Sequence, residues 1–192
     1  DEEKLARLAL TPAAALGSCR KKLPDPDDDP AFFEDLIAKF KKYDIRYFFY
    51  IGGNDSMDTT AKLSAFSKRA DWEMRIIGIP KTIDNDLMGT DHTPGFGSAA
   101  KYIAVTVQEI LRDTAVYTVT AVTIVEIMGR DAGWLTAASA LGRSAGMQEP
   151  DLIYLPERVF SMEQFLGDVR TALSRHPNVV VAVSEGIRFA DG

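Results

Sequence analysis

The sequence predicts an α/β fold: a Rossmann-like, mainly parallel sheet with helices on both faces. Two observations carry this expectation. Short apolar runs alternate five times with segments of helical periodicity, the pattern of successive βαβ units. Polar clusters follow four of these runs, at 52–56, 80–86, 128–130 and 184–186, and ligands of open parallel sheets gather beyond the carboxyl ends of the strands. The four clusters are therefore expected to converge on one crevice.

Residues 1–23 hold a short amphipathic segment with Leu5, Leu8 and Leu10, followed by an Ala-rich stretch. Pro24-Asp25-Pro26-Asp27-Asp28-Asp29-Pro30 reads as an exposed loop. Asp29 or a neighbour is placed to cap a helix that uses Pro30 as its first residue. That helix, about 30–43, sets Phe33, Leu36, Ile37 and Phe40 on one stripe. Residues 45–51 are almost continuously apolar and aromatic, which predicts a strand buried on both faces. A helix with Ala61, Leu63, Ala65 and Phe66 follows to about residue 70, and Arg75 to Ile79 is a second strand. Beyond a Gly/Thr/Pro/His loop at 89–95, the pattern predicts a long helix over about 96–113 and a third strand over Val119–Ile127. A helix through Ala132–Leu141, a short strand Leu152–Leu155, a helix Met162–Ser174 and a fifth strand Val179–Val183 complete the alternation.

The 192 residues suffice for one domain with a substantial core, or for one domain and part of a second. A net charge of −6 gives no general pull toward nucleic acid or anionic membrane. An anionic ligand must then be met by a few focused cations. The single cysteine, Cys19, excludes an intramolecular disulfide framework and fits a reducing compartment. Asp1-Glu2-Glu3-Lys4 is no signal-peptide n-region, and no apolar run approaches the roughly 18 residues of a membrane span. A cytoplasmic protein with no membrane or nucleic-acid partner is expected.

Gly52-Gly53-Asn54-Asp55-Ser56, between a strand and a helix, suits phosphate binding through backbone N–H groups and the helix N-terminus. It equally suits a tight turn with Asp55 or Ser56 as a simple helix cap. The Walker pattern and the protein-kinase signatures are absent. Pro80-Lys81-Thr82-Ile83-Asp84-Asn85-Asp86 puts one cation, one hydroxyl and two carboxylates in a single loop. Lys81 can neutralise a phosphate, Thr82 can hydrogen-bond, and Asp84 and Asp86 are available as base and as metal or water ligand. An EF-hand reading fails because Met88 stands at a ligand position and no Glu follows at the twelfth. Met128-Gly129-Arg130 combines close approach with a cation suited to bidentate phosphate contact. His92 and His176 share no metal-ligand spacing with a carboxylate or Cys19.

Together these residues resemble the phosphofructokinase family, and more closely its pyrophosphate-dependent branch. The matching pieces are Leu-Gly-Ser-Cys-Arg (16–20), Gly-Gly-Asn-Asp-Ser (52–56), Pro-Lys-Thr-Ile-Asp-Asn-Asp (80–86), Gly-Thr-Asp-His-Thr-Pro-Gly-Phe (89–96), Val-Glu-Ile-Met-Gly-Arg (125–130) and Ser-Glu-Gly (184–186). The resemblance implies a phosphofructokinase-like fold, Mg²⁺ as cofactor, and phosphoryl transfer to the 1-hydroxyl of fructose 6-phosphate. By the same resemblance Asp84 is the base, with Lys81 and Asp55 completing the catalytic set. Thr82, Ile83, Asp84, Met128, Gly129, Arg130 and Glu185 are then expected to contact the sugar phosphate. Gly53, Asn54, Asp55, Lys81 and Arg20 are expected at the donor, and Asn54 and Asp86 at the metal.

Donor choice turns on two positions. ATP-using bacterial members carry Gly in place of Asp55 and of Lys81. A carboxylate at 55 would repel a nucleotide α-phosphate, and Lys81 adds charge against the leaving phosphate. Pyrophosphate is therefore the expected donor; an ATP-dependent 6-phosphofructokinase and a non-catalytic regulatory subunit of the family are the competing readings. Asn54 departs from the family's usual Asp and offers the metal a neutral oxygen. The family's N-terminal Gly-Gly-x-x-Pro-Gly phosphate loop and its C-terminal second-domain portion are expected to lie outside residues 1–192, which read as a partial phosphofructokinase-like region. A homo-oligomer is expected, although the arginine that bacterial relatives lend to a neighbouring subunit is here Ala121.

Overall fold

A computed structural model of the chain describes residues 2–11, 15, 17–18 and 21–192. Its contacts divide into two units, one of Asp1–Tyr50 with Asn54–Gly78 and one of Ile51–Gly53 with Ile79–Gly192. Arg20 and Cys19 lie outside the described residues.

In the first unit, α1 (Glu2–Leu8) buries none of its residues. Helix α2 (Pro30–Lys42) starts as its sequence requires. Asp29 is the N-cap, its Oδ1 accepting from Phe32 N at 3.1 Å, with Pro30 at the first position. The predicted stripe then turns Phe33, Ile37 and Phe40 into a cluster with Leu63 and Phe66 of α3 (Asn54–Arg69). Strands β1 (Tyr47–Gly52) and β2 (Arg75–Pro80) pair. Arg75 N donates to Arg46 O at one end and Lys81 N to Gly52 O at the other, at the same sequence offset, so the strands run parallel. Phe48 and Ile76 pack on the α2–α3 cluster. The opposite face is open, with Phe49 57% exposed. The expectation of burial on both faces is thus corrected. A continuous apolar run states which side chains tolerate burial, whereas the number of covering layers is set by tertiary packing.

The second unit is built on a three-stranded parallel sheet in the order β3-β5-β4, with β3 Ala121–Ile127, β4 Leu152–Tyr154 and β5 Asn178–Ser184. Central β5 is buried on both sides, with Val179, Val180, Val181 and Ala182 at most 1% exposed. Alternation along the strand divides these residues between two helical layers. Val107 and Leu111 of α4 (Phe96–Thr114) pack on Val180. Ala172 of α6 (Met162–Leu173) packs on Val179 and Val181 from the other side. The connection from β3 to β4 crosses β5 on the α4 side, where Leu135 meets Ala182. The return from β4 to β5 uses α6. Both the direction and the face reverse, so the crossovers keep one hand, as parallel strands require.

The helix expected through Ala132–Leu141 takes a different form. A four-residue α5 (Trp134–Ala137) tightens directly into a 3-10 segment, Ala138–Ala145. Ser139 Oγ donates back to Thr136 O at 2.6 Å, both side chains fully buried, a bond that competes with α-helical pairing. Gln108 of α4 reaches past this segment to Gln148 O at 2.6 Å.

Candidate functional site

The register of the three-stranded sheet sets two strand ends side by side. Ile127 pairs with Ser184, so Met128-Gly129-Arg130 and Glu185-Gly186 leave the sheet as neighbours. Glu185 N donates to Ile127 O at 2.9 Å. Glu185 Oε1 accepts from Gly129 N at 3.0 Å, and Ser184 Oγ donates to Gly129 O and accepts from Gly186 N. One carboxylate oxygen of Glu185 is thus engaged in holding the turn. Gly186 is fixed by close approach: a Cβ there would stand 1.9 Å from Arg130 O. Met128 and Arg130 point outward to solvent, and Arg130 makes no ion pair among the described residues.

Lys81 to Asp86 follows β2 and docks on the same unit. Lys81 N donates to Gly52 O at 2.7 Å, and Lys81 O lies 3.7 Å from where a Cβ on Gly53 would be. The donor candidates Gly53 and Lys81 are therefore brought together through their main chains, with the Lys81 side chain exposed and unpaired among the described residues. Asp84 N donates to Thr82 Oγ1 at 3.1 Å, folding the loop on itself. Thr82, Asp84 and Asp86 are half-buried. Ile83 has a packing role besides its expected one. Its side chain packs on the cluster of Ile127, Leu135 and Ala182, because a β-branched apolar side chain gains from leaving water. Any contact of Ile83 with a ligand is left to its main chain. Its anchorage serves the site otherwise: the cluster beneath Ile83 also supports Met128-Gly129-Arg130 and Glu185.

Asn54 and Asp55 belong to the first unit, both exposed. Helix α3 begins at Asn54, so Asp55 and Ser56 lie inside its first turn and neither is the cap. An acidic residue there is favoured by the helix dipole. Arg20, expected at the donor, is outside the described residues. Among the described residues no group of three or more His, Cys, Asp or Glu is set to hold a metal ion. Mg²⁺ bound with phosphates commonly takes only one or two protein carboxylates, and half-buried Asp86 meets that requirement. A cavity of about 470 Å³ lies at the other end of the sheet, lined by Glu149, Asp151, His176 and Asn178. Its carboxylates, with Asp151 paired to His176 Nε2 at 2.9 Å, suit an anion poorly, so the strand carboxyl ends remain the candidate site.

Reading by residue type passes over Asn85. It is 9% exposed with φ at 59°, and its Oδ1 accepts from Thr93 N at 2.9 Å. It ties the Asp84 loop to the 89–95 loop. The signal was available: Asn tolerates the left-handed region better than other side chains and hydrogen-bonds nearby main chain.

The phosphofructokinase family model matches residues 1–192. The chain is 48% identical over 190 residues to the pyrophosphate–fructose 6-phosphate 1-phosphotransferase of Xanthomonas campestris pv. campestris, covering 98% of this chain and 46% of the relative. It is 40% identical over 188 residues to the sulfofructose kinase of Alkalicoccus urumqiensis, covering 96% of this chain and 47% of that one. The crystal structure of the pyrophosphate-dependent phosphofructokinase from Nitrosospira multiformis superposes with a TM-score of 0.85 at 42% identity, over 100% of this chain and 48% of that chain. The chain thus spans about half the length of the curated relatives it matches. Fold, motif order and whole-length similarity agree: the chain belongs to the phosphofructokinase family.

Proposed function

We propose that the protein carrying these residues moves a phosphoryl group from pyrophosphate to the 1-hydroxyl of fructose 6-phosphate, giving fructose 1,6-bisphosphate and phosphate. The observation that supports this best is the docking of the Asp84 loop, through Ile83, on the cluster of Ile127, Leu135 and Ala182, whose strands β3 and β5 lead into Arg130 and Glu185. A base, two cations unpaired among the described residues and a carboxylate thereby share one end of one unit. Asp84 takes the proton from the sugar 1-hydroxyl as its oxygen bonds to phosphorus. The bond from that phosphorus to the bridging oxygen breaks, and orthophosphate leaves with Lys81 offsetting its charge. Arg130 binds the sugar phosphate, Thr82 orients the loop, and the second oxygen of Glu185 accepts from a sugar hydroxyl. Positioning and charge neutralisation are most of what phosphoryl transfer needs. Mg²⁺, when bound, supplies further neutralisation on pyrophosphate; Asp86 and Asn54 are each candidates to hold it. A homo-oligomer in the cytoplasm is part of the same proposal, and no helix among the described residues is long and apolar enough to cross a membrane.

Full-length protein supplied with fructose 6-phosphate and Mg²⁺ is expected to release phosphate from pyrophosphate and to form no ADP from ATP. Equal or better turnover with ATP would falsify the donor assignment. Sulfofructose belongs in the same assay, because one relative carries that name; preferential turnover of it replaces the acceptor. Calorimetric binding of fructose 6-phosphate with no turnover from either donor would point to the regulatory subunit.

Asp55 and Lys81 are proposed to select the donor. Asp55→Gly combined with Lys81→Gly is expected to lower kcat/KM for pyrophosphate by about a hundredfold, the scale of one lost charge contact in a transition state. Steady-state kinetics in both substrates checks this, and unchanged donor kinetics would remove the two residues from that role.

A further inference from the structure

The turn that carries Arg130 is gripped at both ends by carboxylates. At its start Glu185 Oε1 accepts from Gly129 N at 3.0 Å. At its far end Glu157 Oε1 accepts from Gly133 N at 2.7 Å. The fit at Gly133 is close. A Cβ there would lie 2.8 Å from Glu157 Oε2, 2.9 Å from Pro156 Cδ and 3.0 Å from Leu155 Cδ2. Glu157 follows β4 just as Glu185 follows β5, and these strands are parallel neighbours. The two acids therefore approach the same turn from adjacent strand ends. Glu157 itself is largely exposed, while Gly133 is buried, so the carboxylate is the group that satisfies an otherwise enclosed N–H. A carboxylate accepting from a main-chain N–H makes a charge-assisted bond, stronger than a neutral pair.

We infer that Glu157 is a positioning residue for sugar-phosphate binding: it fixes the far end of the Met128–Gly133 turn and so sets where the Arg130 guanidinium stands. This rests on the assignment of that turn to the sugar phosphate. Glu157 touches main chain and not substrate, so it is no catalytic residue. The bond it makes lies three residues beyond Arg130, and the one Glu185 makes lies one residue before it. Without Glu157, the turn keeps its bonds at Gly129 and the pairing of Arg188 with Asp131, and it loses the bond at Gly133. The donor candidates Gly53, Asn54, Asp55 and Lys81 are carried by other segments, after β1 and β2, and are expected to be indifferent to this loss. A purely structural role would reduce the yield of folded enzyme and leave both Michaelis constants alone.

The test uses the full-length protein with Glu157→Ala, Glu157→Gln and Glu157→Asp. Glu157→Ala is expected to raise KM for fructose 6-phosphate by about tenfold or more, since a displacement of about 1 Å in a binding group costs on the order of a hundredfold. KM for pyrophosphate should stay within about twofold, as its proposed contacts lie on the segments after β1 and β2. Glu157→Gln should recover most of the loss, because its amide oxygen can still accept from Gly133 N. If Glu157→Ala does not fold, Glu157→Asp carries the test, since it keeps the charge and withdraws the oxygen by one carbon. A selective rise in KM for the sugar phosphate supports the inference. Unchanged KM, or an equal rise for both substrates, overturns it while wild-type turnover of fructose 6-phosphate leaves the functional reading standing. A wild-type enzyme that does not use fructose 6-phosphate overturns that reading, and this inference with it.

Discussion

Asp84→Asn is expected to lower kcat for transfer from pyrophosphate by about a hundredfold to ten-thousandfold, the range that a general base contributes. Asn keeps the shape of the side chain and loses its capacity to take a proton at neutral pH. The loop should not move with it. Asp84 is held through its main-chain N–H, which donates to Thr82 Oγ1, and through the neighbouring Ile83 in the hydrophobic cluster. The Asp84 carboxylate itself makes no ion pair among the described residues. Stability should therefore stay within about 0.5 kcal/mol of wild type, as for substitutions away from buried networks. Binding of fructose 6-phosphate by calorimetry should change by less than about threefold, the signature of an interaction made only in the transition state. Turnover of the variant within a few-fold of wild type would take Asp84 out of the base role and leave Asp86 as the nearer alternative.

This prediction uses residues that were legible from the chain alone, and the reason is chemical. A lysine, a threonine and two aspartates packed into six positions after an apolar run have no role in a core, so the strand end declares itself. The same holds for Arg130 beside Gly129. Helix α2 was legible because its cap, its proline and its stripe agree with one another, which is the consistency across levels that specifies a structure. What stayed hidden depends on contacts distant in sequence. Ile83 looks like a member of the polar loop until the side chains of Ile127, Leu135 and Ala182 are seen beneath it. The 3-10 form of Ala138–Ala145, where Ser139 bonds back to Thr136, leaves no sign in the periodicity of a run of Ala, Ser and Gly. Glu157 is the sharpest case. It sits after a three-residue strand in Leu-Pro-Glu-Arg, with no second unusual residue to mark it, and its partner is a main-chain N–H that carries no sequence signature.

Gly186→Ala is expected to be the most damaging single methyl group in this part of the chain. The added Cβ would meet Arg130 O at 1.9 Å, Arg130 C at 2.5 Å and Arg130 Cα at 2.7 Å. All three atoms are backbone, so no rotamer change relieves the overlap. Either the end of β5 or the Met128–Gly133 turn must move. Moving β5 breaks the pairing of Ser184 with Ile127 in the sheet. Moving the turn strains its bonds to Ser184 and Glu185. Overpacking of this kind costs about 1–3 kcal/mol or more, and the turn has fewer neighbours to resist displacement than fully buried β5. The expected result is therefore a loss of stability together with a rise of about tenfold or more in the dissociation constant for fructose 6-phosphate, because Arg130 is carried away from its place. Denaturant unfolding and calorimetry on the full-length variant measure the two effects separately. Gly167→Ala is the matched control. Gly167 lies inside α6 with nothing within 4 Å of an added Cβ, and the same substitution there should stabilise by about 0.5–1 kcal/mol through helix propensity alone. Opposite signs at the two positions would show that the requirement at 186 is the approach of Arg130. Equal, small effects would mean that the turn yields freely, and the positioning argued for Arg130 would lose its basis.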